Sequence, residues 1–367
     1  MNLHLDLDAD TVFGFTEAVL KPSFDNPQPT PDFHKELWDL CCLDEPYVGA
    51  AAPRGHAKST AVTHSFTLAL LAFRVRKFGL IISDTELQAS LFLGDIKNEI
   101  KENEALHSLF GIKPTLKKET ETDIIGEYED GTQFRIMAKG SGQKIRGTKW
   151  RGKRPDFVIG DDLENEEIVY NKDTRKKFQN WFDGSVIPML SDDGIIRIVG
   201  TILHMDSLLE NILNDSEWIT KRYRAHNSDF SEILWPEKFP REKLEKIRRI
   251  YVNKGNPEGY AQEYLNHPID PATAMFRKDD IIPIWEDWDS KSPLPEMNYY
   301  VGMDFAISEK EKADFTVIAV VGMDSAGVLY LVDIRRGRWD SLQIIEEMFS
   351  VQQKYNPDIF TVETGQI

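Results

Sequence analysis

The stretch PYVGAAAPRGHAKST (46–60) decides how the chain is read. YVGAAA (47–52) is a short apolar run of strand type, and STAVTHSFTLALLAFRVRK (59–77) has the spacing of a helix. Between them lies a tight loop that ends in Lys58-Ser59-Thr60, the order in which a phosphate-binding loop presents its lysine and hydroxyls. The generic pattern G-x-x-x-x-G-K-[ST] has glycine where this chain has Ala52 and Ala57. Gly55 offers one permissive backbone position, but the two alanines carry a Cβ that opposes positive φ. The segment Arg54, Gly55, His56, Ala57, Lys58, Ser59 and Thr60 is thus a candidate nucleotide contact, and a small-residue turn with an exposed lysine is the plain alternative.

Outward from this loop, strand-type and helix-type segments alternate. PDFHKELWDLCCL (31–43) is the one helix expected in the first 45 residues. FGLIISD (78–84) is a buried strand, 86–106 a helix, and GEYEDGTQFRIMAKG (126–140) a hairpin around Asp130-Gly131. PDFVIGDD (155–162) and IIRIVGT (195–201) are strands separated by a helical stretch, 165–182. Such an order predicts a mostly parallel, doubly wound sheet with helices on both faces.

A second element raises the odds of a nucleotide site. FVIGDDLE (157–164) is an apolar strand that ends in Asp161 and Asp162, with Glu164 close behind. A hydrolase of nucleoside triphosphates needs an acid at a neighbouring strand end to hold Mg²⁺ and a carboxylate to activate water. Acidic loops are common on an acidic chain, but a buried-type strand ending in paired acids downstream of a phosphate loop is a rarer joint event. IIRIVGT ends in Gly200-Thr201, where Thr201 would sense the γ-phosphate; an ordinary strand end is the alternative.

The last third has a different character. A charged helix after two prolines (WPEKFPREKLEKIRRIYVNKG) leads into a stretch rich in Pro, Trp and Asp, and the domain boundary is placed in 236–296. Beyond it three strands, a helix (341–355) and a fourth strand, DIFTVET, follow one another. Asp304 sits inside an apolar strand, where an unpaired carboxylate is costly, and Glu363 closes the fourth strand. Two-metal nucleases bring such acids together on ions about 4 Å apart. Asp314, before the second strand, is a weaker candidate that a turn acid explains.

Taken together, PRGHAKST, GSGQKIRGTKWRGKRPDFVIGDDLENEE and IVGT, followed by YYVGMDFA, resemble the large terminase subunit of tailed bacteriophages over about residues 25–367. The resemblance implies an N-terminal P-loop ATPase of the ASCE type (1–235, with adenine contacts from 1–45), a linker or subdomain (236–296) and a ribonuclease H-like nuclease (297–367). It also implies a variant phosphate loop in which Arg54 helps organise the triphosphate, so the alanines cease to be an objection. Lys58 and Ser59 would bind phosphate and Mg²⁺, and Asp161 would be the Mg²⁺ acid. The base usually follows that acid as a glutamate; here Asp162 holds the place, which leaves Asp162 and Glu164 as alternatives. Arg146 of the Arg146-Gly147 pair would be an arginine finger reaching the next subunit of a ring. Asp304 and Glu363 would be the first two nuclease acids, on Mg²⁺ or Mn²⁺. The family's third acid comes well after the second, and this chain has four residues after Glu363, so the nuclease is expected to be incomplete, in a fragment or an interrupted frame, with weak or absent cleavage.

The implied function is ATP-driven translocation of double-stranded DNA into a procapsid, in a ring docked on a portal protein and served by a small terminase subunit. A helicase-like ATPase with an appended nuclease-type domain is the enzyme alternative, and a degenerate DNA-binding remnant the non-enzyme one. The net charge of −17 argues against a protein coated in nucleic acid but leaves room for a local basic groove. KGSGQKIRGTKWRGKR (139–154), with seven basic residues and no acid, is one such run, facing DNA phosphates or a neighbouring subunit. Adjacent Cys41 and Cys42 make a poor disulfide and suit a reducing compartment. The histidines lack ligand spacing for zinc, no stretch approaches the ~20 apolar residues of a membrane span, and a cytoplasmic location is expected.

Overall fold

The computed structural model describes residues 7–268, 296–305 and 315–362. The chain divides into two compact units, Met1–Arg277 and Lys278–Ile367.

In the first unit α1 (Ala9–Phe15) and α2 (Asp32–Cys42) precede β1 (Tyr47–Ala51). After the 52–59 loop the chain winds wide over Thr60–Phe66, with π-helical geometry, and tightens into α3 (Thr67–Ala72). There follow β2 (Phe78–Ser83), α4 (Glu86–Glu102), α5 (Glu104–Phe110), β3 (Lys118–Glu119), β4 (Asp123–Glu127) and β5 (Gln133–Gly140). The remainder is β6 (Phe157–Asp161), α6 (Glu166–Tyr170), α7 (Lys172–Trp181), β7 (Ile195–Gly200), α8 (Leu208–Leu213), β8 (Ile219–Arg222), α9 (Arg241–Asn253) and α10 (Pro257–Leu265).

These strands form one sheet in the order β3-β4-β5-β2-β6-β7-β1-β8. From β5 to β8 every pairing is parallel, and only the β3–β4–β5 hairpins run antiparallel. Because side chains alternate across a strand, each central strand feeds two cores. Ala50, Ile81 and Ile159 enter the core beneath α1, α2 and α4; Ala51, Leu80, Ile82 and Val158 enter the core under α7 and α8.

Several sequence expectations change in detail. The helix expected over 59–77 stops at Ala72, and Arg74 turns out with φ 58°. The helix expected over 86–106 breaks at Asn103, whose side chain accepts from the amides of Ala105 (3.0 Å) and Leu106 (3.3 Å) and so starts α5. The first 45 residues hold two α-helices, because α1 buries Val12 and Phe15 against the core. The edge strand β8, only ITKR, gave no apolar run to detect. The region 236–296 divides: α9 and α10 belong to the first unit, and 269–295 lie outside the described residues.

The second unit has a four-stranded sheet in the order β11-β10-β9-β12. β9 (Met297–Asp304), β10 (Thr316–Asp324) and β11 (Leu329–Gly337) are antiparallel neighbours; α11 (Ser341–Tyr355) then returns the chain to β12 (Ile359–Val362), parallel to β9. Val301, Met303, Ile318, Val320 and Val351 form its core. Among the described residues no helix is long and apolar enough to cross a membrane.

Candidate functional site

β7 lies between β1 and β6, so the C-terminal ends of these strands stand side by side. Ala51 is opposite Gly200, and Val199 opposite Asp161. The loops that leave these ends carry the candidate residues, at the strand edge where open α/β sheets bind ligands. The 52–59 loop turns on Gly55 (φ 75°) and on Ala57, which adopts φ 56° despite its Cβ. Left-handed backbone at a non-glycine residue costs roughly 1–2 kcal/mol.

Lys58 is 7% exposed and bridges the three strand ends. Its Nζ donates to Thr201 Oγ1 at 3.1 Å and is 3.0 Å from Asp162 Oδ2. The other Asp162 oxygen accepts from the Thr201 amide at 3.0 Å. Asp162 has φ 44°, which aims its carboxylate back over the sheet edge. The side chain of Asp162 is 46% exposed, so water reaches it.

Asp161 is fully buried. Its Oδ1 accepts from Ser59 Oγ at 3.1 Å, and its second oxygen accepts from Thr63 Oγ1. Burial pushes its carboxyl up to about 7, with neighbouring Asp162 adding to the rise; Lys58, Thr63 and Ser59 oppose it. A buried carboxylate held only by hydroxyls, while the nearby ammonium is paired elsewhere, suits a hard cation. Asp161 and Ser59 give an all-oxygen donor set of the kind Mg²⁺ takes together with substrate phosphates. Among the described residues no group of three or more His, Cys, Asp or Glu side chains converges as a dedicated metal cage.

Glu164 points elsewhere. Its carboxylate accepts from the amides of Leu208 (2.8 Å) and Leu209 (3.2 Å), at the start of α8. Burial raises its pKa, and those two amides oppose the rise. Arg54 is also engaged: its guanidinium is 3.1 Å from Glu263 on α10, and its amide donates to the Glu263 carbonyl at 2.8 Å. Glu263 holds the guanidinium pKa above its usual value.

His56 is buried, with its ring stacked on Phe239 at 4.4 Å and 8°. Nδ1 donates to the Arg54 carbonyl at 3.0 Å, and His34 Nε2 donates to the His56 carbonyl at 2.9 Å. Burial pushes both histidines down to about 4. The side chain of His56 is thus an anchor for the loop, and Nε2 has no partner among the described residues.

Thr60 and Ala57 border a cavity of about 190 Å³, which Phe24, Gln28, Trp235 and Lys238 also line. Thr16 Oγ1, Ser65 Oγ and Trp235 Nε1, all from residues lining it, are buried without a hydrogen-bond partner among the described residues. Sequence reasoning missed Trp235 and Lys238. Their only signal was an aromatic and a lysine in the Pro-flanked turn WPEKF.

Arg146 is exposed and donates from Nε to Ser185 Oγ at 3.1 Å; among the described residues it has no hydrogen bond or ion pair with the 54–60 loop. Asp304 ends β9 and is exposed, not buried in the strand as its apolar neighbours suggested, because it falls on the outward side of the alternation in VGMD. Glu363 and Asp314 lie outside the described residues.

No protein-family profile and no curated protein matches the sequence. Solved structures similar to the chain include phage large terminases. For the HK97 bacteriophage large terminase the identity is 14%, over 97% of this chain and 74% of that one, with a TM-score of 0.46. For the large terminase of the thermophilic bacteriophage D6E the values are 12%, 92%, 78% and 0.43. The Thermus phage P74-26 large terminase ATPase domain is 18% identical, over 60% of this chain and 88% of that one, with a TM-score of 0.43.

Proposed function

We propose that the first unit hydrolyses ATP and that the chain is the motor subunit of a phage DNA-packaging machine. The observation that carries this is the meeting of Lys58 and Ser59 with Asp162 and Asp161, two sequence-distant pairs at one sheet edge. The triphosphate lies on the 54–59 loop at the head of the following helix, where amides and the helix end favour phosphate. The adenine occupies the cavity lined by Phe24, Gln28 and Trp235.

Binding of the triphosphate draws Lys58 from Asp162 to the β- and γ-phosphates. The freed Asp162 carboxylate then takes a proton from a water attacking the γ-phosphorus; the new O–P bond forms as the bond to the β-phosphate oxygen breaks, leaving ADP and phosphate. Mg²⁺ held by Ser59 and Asp161 would neutralise charge on the phosphates. Thr201, bonded to both Lys58 and Asp162, registers loss of the γ-phosphate. Asp162 is preferred to Glu164 as the base because Glu164 caps α8. Arg54 would leave Glu263 to meet the triphosphate, and Arg146 would reach a neighbouring subunit's site as an arginine finger.

The wider proposal is a homo-oligomeric ring on a portal protein, with a small terminase subunit, in the host cytoplasm. The second unit would contribute Asp304 and Glu363 as two of the acids of a ribonuclease H-like nuclease, on Mg²⁺ or Mn²⁺. The test is protection of double-stranded DNA from nuclease inside procapsids supplied with ATP. ATP-dependent protection, absent with Lys58→Ala, supports the motor; strand separation of a labelled duplex without protection would indicate a helicase instead.

A further inference from the structure

Unit 1 carries a cluster of cations of which the nucleotide site proposed above takes up only Arg146. The run 139–154 leaves β5 and returns along the sheet to β6. Of its seven basic residues only Lys139 has a carboxylate within ion-pair distance among the described residues, Glu86 at 3.9 Å. Lys144, Arg146, Lys149, Arg151, Lys153 and Arg154 are exposed and have no ion pair among the described residues. The hydrogen-bond partners of the arginines are neutral: Ser185 Oγ for Arg146, Gln133 Oε1 (2.7 Å) for Arg151 and the Pro188 carbonyl (2.6 Å) for Arg154. Asp193 lies close enough to Lys153 to feel its charge, but not at ion-pair distance. On a chain of net charge −17, six unpaired cations in one segment are a strong local asymmetry.

The far end of the run is built. Trp150 and Lys153 exchange backbone hydrogen bonds of 2.9 and 3.0 Å, and Arg151 (φ 50°) and Gly152 (φ 78°) occupy the two central positions between them. Positive φ at both central residues is a type I′ hairpin turn, which favours Asn, Asp or Gly at the place Arg151 takes. The turn is fixed at its base by the edge of Trp150 on Phe78, with rings 5.8 Å apart, and by Arg154 on Pro188. Lys149, Arg151 and Lys153 are therefore displayed on a held backbone, with a side chain in a conformation it disfavours.

We propose that this hairpin tip is a contact for the sugar-phosphate backbone of double-stranded DNA, with Lys149, Arg151 and Lys153 as its phosphate ligands. The proposal rests on the motor reading above, and names where that motor meets its track. A polyanion fits the tip better than a protein surface does, since protein interfaces favour arginine and aromatic residues but are depleted in lysine, and the tip sets Lys149 and Lys153 beside Arg151, whose guanidinium lies over the Trp150 ring at 5.2 Å. Contacts to phosphate are indifferent to sequence, as a translocating motor needs.

The test is binding of the full chain to a short mixed-sequence duplex across a salt series, with the Lys149→Ala/Arg151→Ala/Lys153→Ala variant alongside. Wild type should bind with a steep salt dependence, and loss of three phosphate contacts should flatten the log–log slope by about 2.7. Basal ATP turnover should be unchanged, and the Lys149→Arg/Arg151→Lys/Lys153→Arg variant should keep the wild-type slope. If the triple variant does not fold, Lys149→Ala and Lys153→Ala alone should each lower the slope by about 0.9. Wild-type binding left intact by the substitutions overturns the proposal but leaves the motor reading standing. Loss of self-association with unchanged DNA binding also overturns it, and assigns the tip to a subunit interface. Absence of any wild-type DNA binding removes the motor reading itself.

Discussion

The ammonium of Lys58 is 3.0 Å from Oδ2 of Asp162, and the Thr201 amide holds the other oxygen of the same carboxylate. Without nucleotide the ammonium and this carboxylate neutralise each other. Substitution of Asp162 by Asn removes the charge that competes with the triphosphate for Lys58. Asp162→Asn should therefore bind ATP at least as tightly as wild type, measured by equilibrium titration with a fluorescent analogue, while failing to turn it over.

Glu164 ties β6 to α8 through the amides of Leu208 and Leu209. A carboxylate at a helix N-terminus is worth about 0.3–1 kcal/mol through the dipole, and leaving buried donors unpaired costs about 1–3 kcal/mol. Glu164→Ala should lower stability within that range in denaturant titration, and Glu164→Gln by less. Both should retain most ATP turnover. Complete loss of turnover in Glu164→Gln, with normal stability, would make Glu164 the base.

Ala57 adopts φ 56° next to the phosphate-site lysine. Glycine would relieve roughly 1–2 kcal/mol of backbone strain against a loss of about 0.5–1 kcal/mol in chain entropy. Ala57→Gly should be neutral to slightly stabilising by thermal melting and should keep turnover. Gly55→Ala should do the reverse, since φ is 75° there and an added Cβ would lie 3.0 Å from the Phe239 ring.

Arg54 meets Glu263 with its own side chain 69% exposed, a geometry worth at most about 1 kcal/mol in stability. Glu263→Gln should leave the melting temperature nearly unchanged. It should lower the apparent KM for ATP, because Arg54 no longer has to leave a carboxylate to reach the triphosphate.

Asp161 has a folded-state pKa of about 7 against an ordinary 3.8. Between those values the folded chain holds a proton that the unfolded chain has lost, so its contribution to stability is present at low pH and declines as pH rises through the window. His34 and His56, held near 4, act in the opposite direction below pH 6.5. The difference between wild type and Asp161→Asn isolates the carboxylate. Relative to the variant, wild type should lose stability from about pH 4 to pH 7 in melts without nucleotide or metal. A difference that does not vary with pH would contradict the buried, cation-poor environment.

Much of this site was legible in the sequence, and the reasons it was not all legible are physical. The 52–59 loop and the acids of FVIGDD stand out because strand, loop and charge are local patterns. The position of β7 between β1 and β6 is set by tertiary packing, so the contact of Thr201 with Lys58 could be suspected but not placed. Asp162 and Glu164 stayed alternatives because the sequence does not show that a turn at Asp162, with φ 44°, directs the next residues towards α8. His56 looked like a loop residue, and its burial depends on Phe239, far along the chain. Asp304 looked buried in an apolar strand because sequence alternation does not say which face is covered.

The central claim is tested most directly by ATP turnover of the full chain, with Lys58→Ala and Asp162→Asn as controls. Wild type should release phosphate steadily with Mg²⁺ present, and each variant should be slower by about 10²–10⁴-fold, with Asp162→Asn still binding ATP. A wild-type chain that binds no ATP, or an Asp162→Asn chain that turns it over at the wild-type rate, would contradict the assignment of this strand edge as an ATPase site.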